Sequence, residues 1–283
     1  MPVYLLDGEA PVLFEAPLAC LARLYEREIK HVLGNRTPAY LFLTHSHFDH
    51  ISAAGHLKKV WPKMKIAASS RVAEILTRPS AVDLIRTLNQ KTAELVKQWG
   101  TIQPSDEGFE PFTLDLELEP EQRINLGGGR VVQALATPGH TWDFLSYWLP
   151  EEKILVASEA AGCADISGYI VTEFLVDYDV YLASLERLSR LDVEIFGQGH
   201  HYVYLGPEAR ERIRQAQEQA GKYLAMVERF LREEGGDLDR AAARVKAFEW
   251  DPKPLPKQSE TAYMLNTMAR VRTVRERMNR GRP

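Results

Sequence analysis

Residues 44–50 read Thr-His-Ser-His-Phe-Asp-His, and this short stretch holds three of the chain's eight histidines. Imidazole and carboxylate groups at such density are metal ligands by type, and a nitrogen and oxygen donor set suits zinc, iron or manganese. The spacing is H-x-H-x-D-H. In an extended segment residues two apart point to the same side, so His45 and His47 can converge on one point. Asp49 and His50 follow at the bend into a helix and can address a second point beside the first. A polar loop would reach this spacing by coincidence in roughly a few chains in ten thousand. Four ligands are too few for two ions with open positions, so others are expected at further strand ends. His140 follows the strand-like Val-Val-Gln-Ala-Leu in a Pro-Gly turn. Glu159 follows Lys-Ile-Leu-Val-Ala, and His200 or His201 follows Val-Glu-Ile-Phe in a glycine turn. Any one of these alone is more often a hydrogen-bonded loop residue; the weight lies in the set. His31, near a helix C-terminus where the dipole favours an imidazolium, and His56, inside a helix, are read as structural.

The elements that must carry these groups are legible around them. Ala-Tyr-Leu-Phe-Leu, directly before the cluster, is a continuous apolar run that suits a strand buried on both faces. Short strands are also expected at 3–8, 12–17, 65–69, 112–118, 122–126, 130–137, 144–150 and 153–158, with a turn at the triple glycine 127–129. Helical spacing marks 18–33, 51–61 and 70–99, with a loop over 100–111, and an amphipathic helix over 177–191. After Pro207 two long helices are expected and no further strand. The outline is an α/β body over 1–206, with a helical insertion at about 70–99, then a helical extension over 207–283. Hydrophobic residues make up 45% and charged residues 26% of the chain, enough for a full core. The net charge is −4 without a long basic run, which argues against nucleic acid as a partner. No apolar stretch reaches the roughly 18 residues of a membrane span, and the N-terminal segment does not have the pattern of a signal peptide. Cys20 and Cys163 are far apart and read as free thiols in a reducing cytoplasm.

Thr-His-Ser-His-Phe-Asp-His, Thr-Pro-Gly-His-Thr, the acidic residue at 159 and Gly-Gln-Gly-His-His occur in an order that resembles the metallo-β-lactamase-fold hydrolases, over roughly residues 3–206. The resemblance implies a four-layer αβ/βα sandwich with its site at one edge of two sheets. It implies two divalent metal ions (zinc, iron or manganese), one held by His45, His47 and His140 and one by Asp49, His50 and His200. Asp49 would also be the proton acceptor beside the bridging water. One position departs from the family pattern. Where the family has Asp, often after Gly, this chain has Ser158-Glu159. That Asp bridges the ions, and the extra methylene of Glu159 must be accommodated by a shift of the loop or of the metals. Asp165, further along, is the alternative bridge.

A dinuclear site lowers the pKa of bound water toward neutrality and polarises a carbonyl or phosphoryl oxygen. No serine or cysteine nucleophile is then needed, and Cys163 has no matching histidine motif. Within the family the layout is similar to the quinolone-signal response thioesterases, which cleave an aromatic β-ketoacyl-CoA. The shared features are the helix 177–191 after the acidic ligand, a glycine-histidine loop and long closing helices. The leading expectation is a thioesterase acting on an acyl-CoA or similar small thioester. The alternatives are a lactonase or ester hydrolase, an iron-dependent oxidoreductase, and a binding protein without turnover. His47 stands where the flavodiiron group has Glu, which argues against that form of the oxidoreductase. Substrate-contact candidates are His201, Tyr169 and Tyr202, within a group of aromatics that includes Trp142, Phe174, Tyr178 and Tyr204. The helical tail and the insertion at 70–99 are expected to cover the site, and the tail offers a surface for a homodimer.

Overall fold

The computed structural model describes residues 1–100, 102–254 and 257–280. Residue 101 of the expected loop and residues 255, 256 and 281–283 of the expected helical extension lie outside that set. Two compact units divide the chain. The first is Met1–Ala136 with Asp143–Ala157, and the second is Thr137–Trp142 with Ser158–Pro283.

The first unit opens with β1 (Tyr4–Leu6), β2 (Val12–Phe14), α1 (Ala22–Leu33), β3 (Tyr40–Phe42), α2 (Phe48–Ile51), α3 (Ala54–Val60) and β4 (Lys65–Ser69). α4 (Ser70–Leu76), α5 (Pro79–Trp99) and β5 (Leu116–Leu118) follow. The antiparallel β6 (Arg123–Gly127), β7 (Arg130–Ala136), β8 (Leu145–Leu149) and β9 (Ile154–Val156) complete it. β1 to β5 lie in chain order in one sheet, with β2, β3, β4 and β5 mutually parallel. The continuous apolar run of β3 has its reason in the period of two along a strand. Leu41 and Leu43 face a core shared with α1 and α3. Phe42, between them, faces the core formed with Val132, Leu145 and Tyr147 of the second sheet. Phe42 stacks on Phe14 with ring centroids 5.4 Å apart. The buried Tyr147 hydroxyl donates to the Leu43 carbonyl at 2.6 Å, tying the second sheet to the chain just before the histidine cluster.

The helical insertion is α4 and α5. Pro79 starts α5 and the left-handed Gly100 ends it. Val96 of α5 packs with Leu18, Cys20 and Phe48, and the Asn89 amide donates to Ser52 Oγ at 2.6 Å. The insertion therefore braces the helix that begins with Phe48-Asp49-His50. The strand expected over 112–118 is shorter than read, because the Asp115 carboxylate itself accepts from the Ile66 amide at 2.8 Å and the ladder starts only at Leu116.

The second unit holds β10 (Cys163–Ala164), β11 (Ile170–Val171), α6 (Tyr178–Ser189), β12 (Ile195–Gly197), β13 (Val203–Leu205), α7 (Pro207–Glu233), α8 (Leu238–Glu249) and α9 (Glu260–Arg280). The two hairpins β10/β11 and β12/β13 are antiparallel. Asp177 caps α6 by accepting from the Val180 amide, and Asp237 caps α8 by accepting from the Arg240 amide. The unpredicted β10, β11 and β13 are too short to carry a period. Where two long helices are expected after Pro207, α8 is a third, starting at Leu238 behind the Gly235-Gly236 turn and the Asp237 cap. Inside this unit Arg270 and Glu249 form a buried ion pair at 2.7 Å. Among the described residues no helix is long and apolar enough to cross a membrane.

Candidate metal centre

In the first unit the chain leaves β3 extended and reaches α2 at His47 (φ −64°, ψ 142°). The His45 ring lies 4.6 Å from that of His47 and 4.4 Å from that of His50, centroid to centroid. Asp49 Oδ2 is 3.9 Å from His50 Nε2. The four residues of the motif are thus brought together. His45 is fully buried and stacks on Phe144, with centroids 4.6 Å apart.

What orients these rings is Glu15, a residue the sequence reading missed. Its carboxylate accepts from the Thr44 hydroxyl at 2.6 Å. Thr44 has one proton and has given it to Glu15, so its oxygen, 2.9 Å from His45 Nδ1, must accept from an Nδ1–H. The other Glu15 oxygen lies 3.3 Å from His50 Nδ1, so the same carboxylate stands behind both rings. With Nδ1 protonated, His45 keeps its lone pair on Nε2, the kind of atom that can ligate a metal. A carboxylate behind a histidine fixes tautomer and ring orientation in this way. Glu15 is buried and holds φ at +70°. Its signal in sequence was an acid closing the apolar strand Val-Leu-Phe, the same strand-then-ligand form used above for Glu159. Asp143 is a second missed residue; its carboxylate accepts from the Ser46 amide at 2.8 Å and pins the loop between His45 and His47.

In the second unit His140 donates from Nδ1 to the Glu173 carbonyl at 2.6 Å, again leaving Nε2 as the ligating atom. Gly139 before it, at φ +127°, lies so close to α6 that a Cβ would meet Tyr181 Cα at 2.4 Å. Arg270 Nη1 donates to the Thr172 carbonyl at 3.1 Å and Thr273 Oγ1 to the Leu175 carbonyl at 3.0 Å. α9 thus holds the segment whose Glu173 carbonyl orients His140. Burial pushes the Glu173 carboxyl up to about 7, although Arg270 pulls it down.

Glu159 and His200 meet in this unit at 2.7 Å, Oε1 to Nε2. Ser158, at φ +45°, donates its hydroxyl to Glu159 Oε2 at 2.6 Å, and the Tyr181 hydroxyl donates to the Glu159 carbonyl at 3.2 Å. The longer carboxylate is accommodated by Gly199, where a Cβ would stand 2.3 Å from Glu159 Oε1. Asp165 is not in this group. It accepts from the Ser167 amide and hydroxyl and pairs with Lys253 at 2.6 Å. His201 faces Tyr202, with centroids 5.9 Å apart, and burial lowers its pKa. Tyr202 is partly exposed at 38%, whereas the Tyr169 hydroxyl accepts from Gln219 and its ring lies under Lys253. Phe174 and Tyr178 are buried core and Trp142 is half exposed. His31 is exposed on α1, and His56 sits 2.8 Å from Glu26, both as structural side chains. Of the non-glycine residues at positive φ, Glu15, Ser158 and His201 all lie on these ligand loops. Oriented imidazoles beside carboxylates are a donor set that fits a divalent metal.

Strand-end histidines with oriented rings, on an α/β scaffold with closing helices, define a class of metal-dependent fold. The metallo-beta-lactamase superfamily model matches residues 4–200, and the chain belongs to that family. Among curated proteins it is 29% identical over 163 residues to the metallo-beta-lactamase fold-containing protein ST1585 of Sulfurisphaera tokodaii, covering 57% of this chain and 59% of that one. It is 26% identical over 173 residues to the hydroxyacylglutathione hydrolase of Bartonella tribocorum, covering 60% and 51%. The chain thus spans only 51–59% of the length of these relatives. The structure is similar to that of metallo-beta-lactamase family protein TTHA1429 from Thermus thermophilus, with a TM-score of 0.65, 18% identity and 98% and 88% of the two chains covered. That likeness speaks for the fold alone.

Proposed function

We propose that this protein is a metal-dependent hydrolase of small thioesters. The observation that carries the hydrolase reading is the pair of histidines, His45 and His140, whose Nδ1 protons are committed to Thr44 and to the Glu173 carbonyl, beside His50 against the Glu15 carboxylate, within a metallo-beta-lactamase chain. The thioester rests on the relatives named hydroxyacylglutathione hydrolase, since an acylglutathione is a thioester. In this reading residues 1–206 form the catalytic part and 207–283 a helical extension. His45, His47 and His140 would hold one ion and Asp49, His50 and His200 the other, with Glu159 as a further ligand. The ions, zinc, iron or manganese, would supply an activated water and polarise the thioester carbonyl. Asp49 would be the proton acceptor. A thiolate leaves readily, so no strong general acid is required. His201 and Tyr202 are the substrate contacts we favour, ahead of Tyr169. An acyl-CoA is a substrate of the same chemistry, and the two thiols suit the cytoplasm. A homodimer through the exposed Phe248 and Leu265 of the extension is part of the same proposal.

The test is metal content per chain by elemental analysis, followed by thiol release from a panel of glutathione and CoA thioesters, with lactones and oxygen esters alongside. Two ions per chain and thiol release lost on chelation are expected. Lactone cleavage without thiol release would replace the thioesterase by the lactonase. A protein that binds no metal would end the hydrolase reading.

A further inference from the structure

We propose that Cys163 supplies a thiolate ligand, together with Glu159 and His200, to the second ion, so that this position prefers zinc or iron to manganese or magnesium. The inference rests on the metal-centre reading above and deepens it. Cys163 Sγ, a Glu159 carboxylate oxygen and a His200 ring nitrogen all lie within 4.8 Å of one another. Sγ is 4.0 Å from Glu159 Oε1. A zinc–sulfur bond of about 2.3 Å and a zinc–oxygen bond of about 2.1 Å together span about 4.4 Å, so one ion can reach both atoms.

The strand and the loop that bear these groups are locked to each other. Gln198 accepts from the Ala164 amide and donates to the Ala164 carbonyl, both at 3.0 Å, like a ladder rung beside β10. The same Gln198 amide also donates to the His200 carbonyl. Cys163 is therefore held next to the histidine loop by a buried side chain whose other contact is that loop. β11 backs it on the far side, through the Cys163–Val171 pair.

The surroundings suit a ligand and not a nucleophile. Cys163 is buried at 5% exposure, away from bulk solvent. Binding of a divalent ion would release the S–H proton to solvent as the metal–sulfur bond forms. Soft thiolate donors favour zinc and iron over the harder ions, a choice the nitrogen and oxygen donors alone leave open. The rival account is an inert buried thiol whose Sγ lies 3.9 Å from the Ser158 carbonyl.

Cobalt(II), a zinc surrogate with visible and near-ultraviolet bands, tests this directly. Full-length protein stripped by chelator and loaded with cobalt should show a sulfur-to-cobalt charge-transfer band beside the weaker d–d bands. Cys163→Ser should lose that band while keeping its far-ultraviolet circular dichroism and the d–d bands of the other ion. Cys20→Ser, in the other unit, should keep it. Cys163→Ala provides a second variant of different polarity and should also lose the band. Cobalt bound with no charge-transfer band, or a band that survives Cys163→Ser, overturns the inference and leaves the hydrolase reading standing. Native protein that binds no cobalt overturns both.

Discussion

Replacement of Arg270 by methionine tests the polar heart of the second unit. Arg270 is 1% exposed and Glu249 2%. Arg270 meets Glu249 at 2.7 and 3.2 Å and the Thr267 hydroxyl at 3.0 Å, while the Tyr263 hydroxyl donates to Glu249 at 2.8 Å. Methionine keeps most of the volume, so the cavity contribution is small. What remains is a buried carboxylate without its guanidinium, and breaking such a pair from one side costs about 3–5 kcal/mol. The pH dependence carries a definite sign. Burial alone would raise the Glu249 pKa, but Arg270 overrides it and holds the carboxyl below its ordinary value. A depressed folded pKa contributes stability above the unfolded value and loses it as pH falls through the folded one. The gap between native and Arg270→Met should be widest at neutral to alkaline pH. It should begin to shrink already above the ordinary carboxylate value of about 4.5, because burial raises the pKa of the unpaired Glu249 in the variant, and should go on shrinking as pH falls through the depressed native value. The assay is urea unfolding followed by circular dichroism at several pH values. Adding Glu249→Gln to Arg270→Met should recover part of the loss, since a neutral amide can still accept from Tyr263. A loss under about 1 kcal/mol that is independent of pH would refute the assignment of net stability to this pair.

Glu15→Gln replaces the carboxylate that accepts from Thr44 and stands 3.3 Å from His50 Nδ1, weakening the orientation of both rings; metal affinity, by chelator competition, should fall about 10- to 100-fold with the metal-free melting temperature little changed. An unchanged affinity would remove Glu15 from the centre. Gly199→Ala puts a Cβ 2.3 Å from Glu159 Oε1, so elemental analysis should find one ion per chain in place of two. Adding Glu159→Asp, one methylene shorter, should restore the second ion; no restoration would mean that Gly199 serves another purpose. Asn89→Ala strips the buried Ala19 amide of its acceptor at 3.2 Å and Ser52 of its amide donor. It should cost about 1–3 kcal/mol in thermal unfolding, and amide exchange in α2 should quicken. Protection in α2 equal to that of the native protein would show that α5 does not brace it.

What the sequence by itself determined is what is local along the chain. His45, His47, Asp49 and His50 lie within six residues, and strand and helix periods place them at the end of a buried strand without reference to any other segment. The same locality exposed His140, Glu159 and His200 as acids and imidazoles behind apolar runs, and made α1, α5 and α6 readable from their spacing. The tertiary structure decided what depends on groups far apart in sequence or on the backbone. Glu15 reaches Thr44 across 29 positions, and Arg270 reaches the Thr172 carbonyl across 98. The partner that orients His140 is a peptide carbonyl, which any residue type supplies and no motif records. Gly199 is legible as a turn glycine, yet only packing reveals that its missing Cβ is the space Glu159 uses. Cys163 reads as a free thiol in the sequence, and only the fold sets its strand beside the His200 loop, through the Gln198 amide nitrogen that donates to the carbonyls of both Ala164 and His200. Ligand type is a property of the side chain and survives in the sequence; the direction in which a ligand points is set by hydrogen bonds from elsewhere in the chain, and only the fold supplies those.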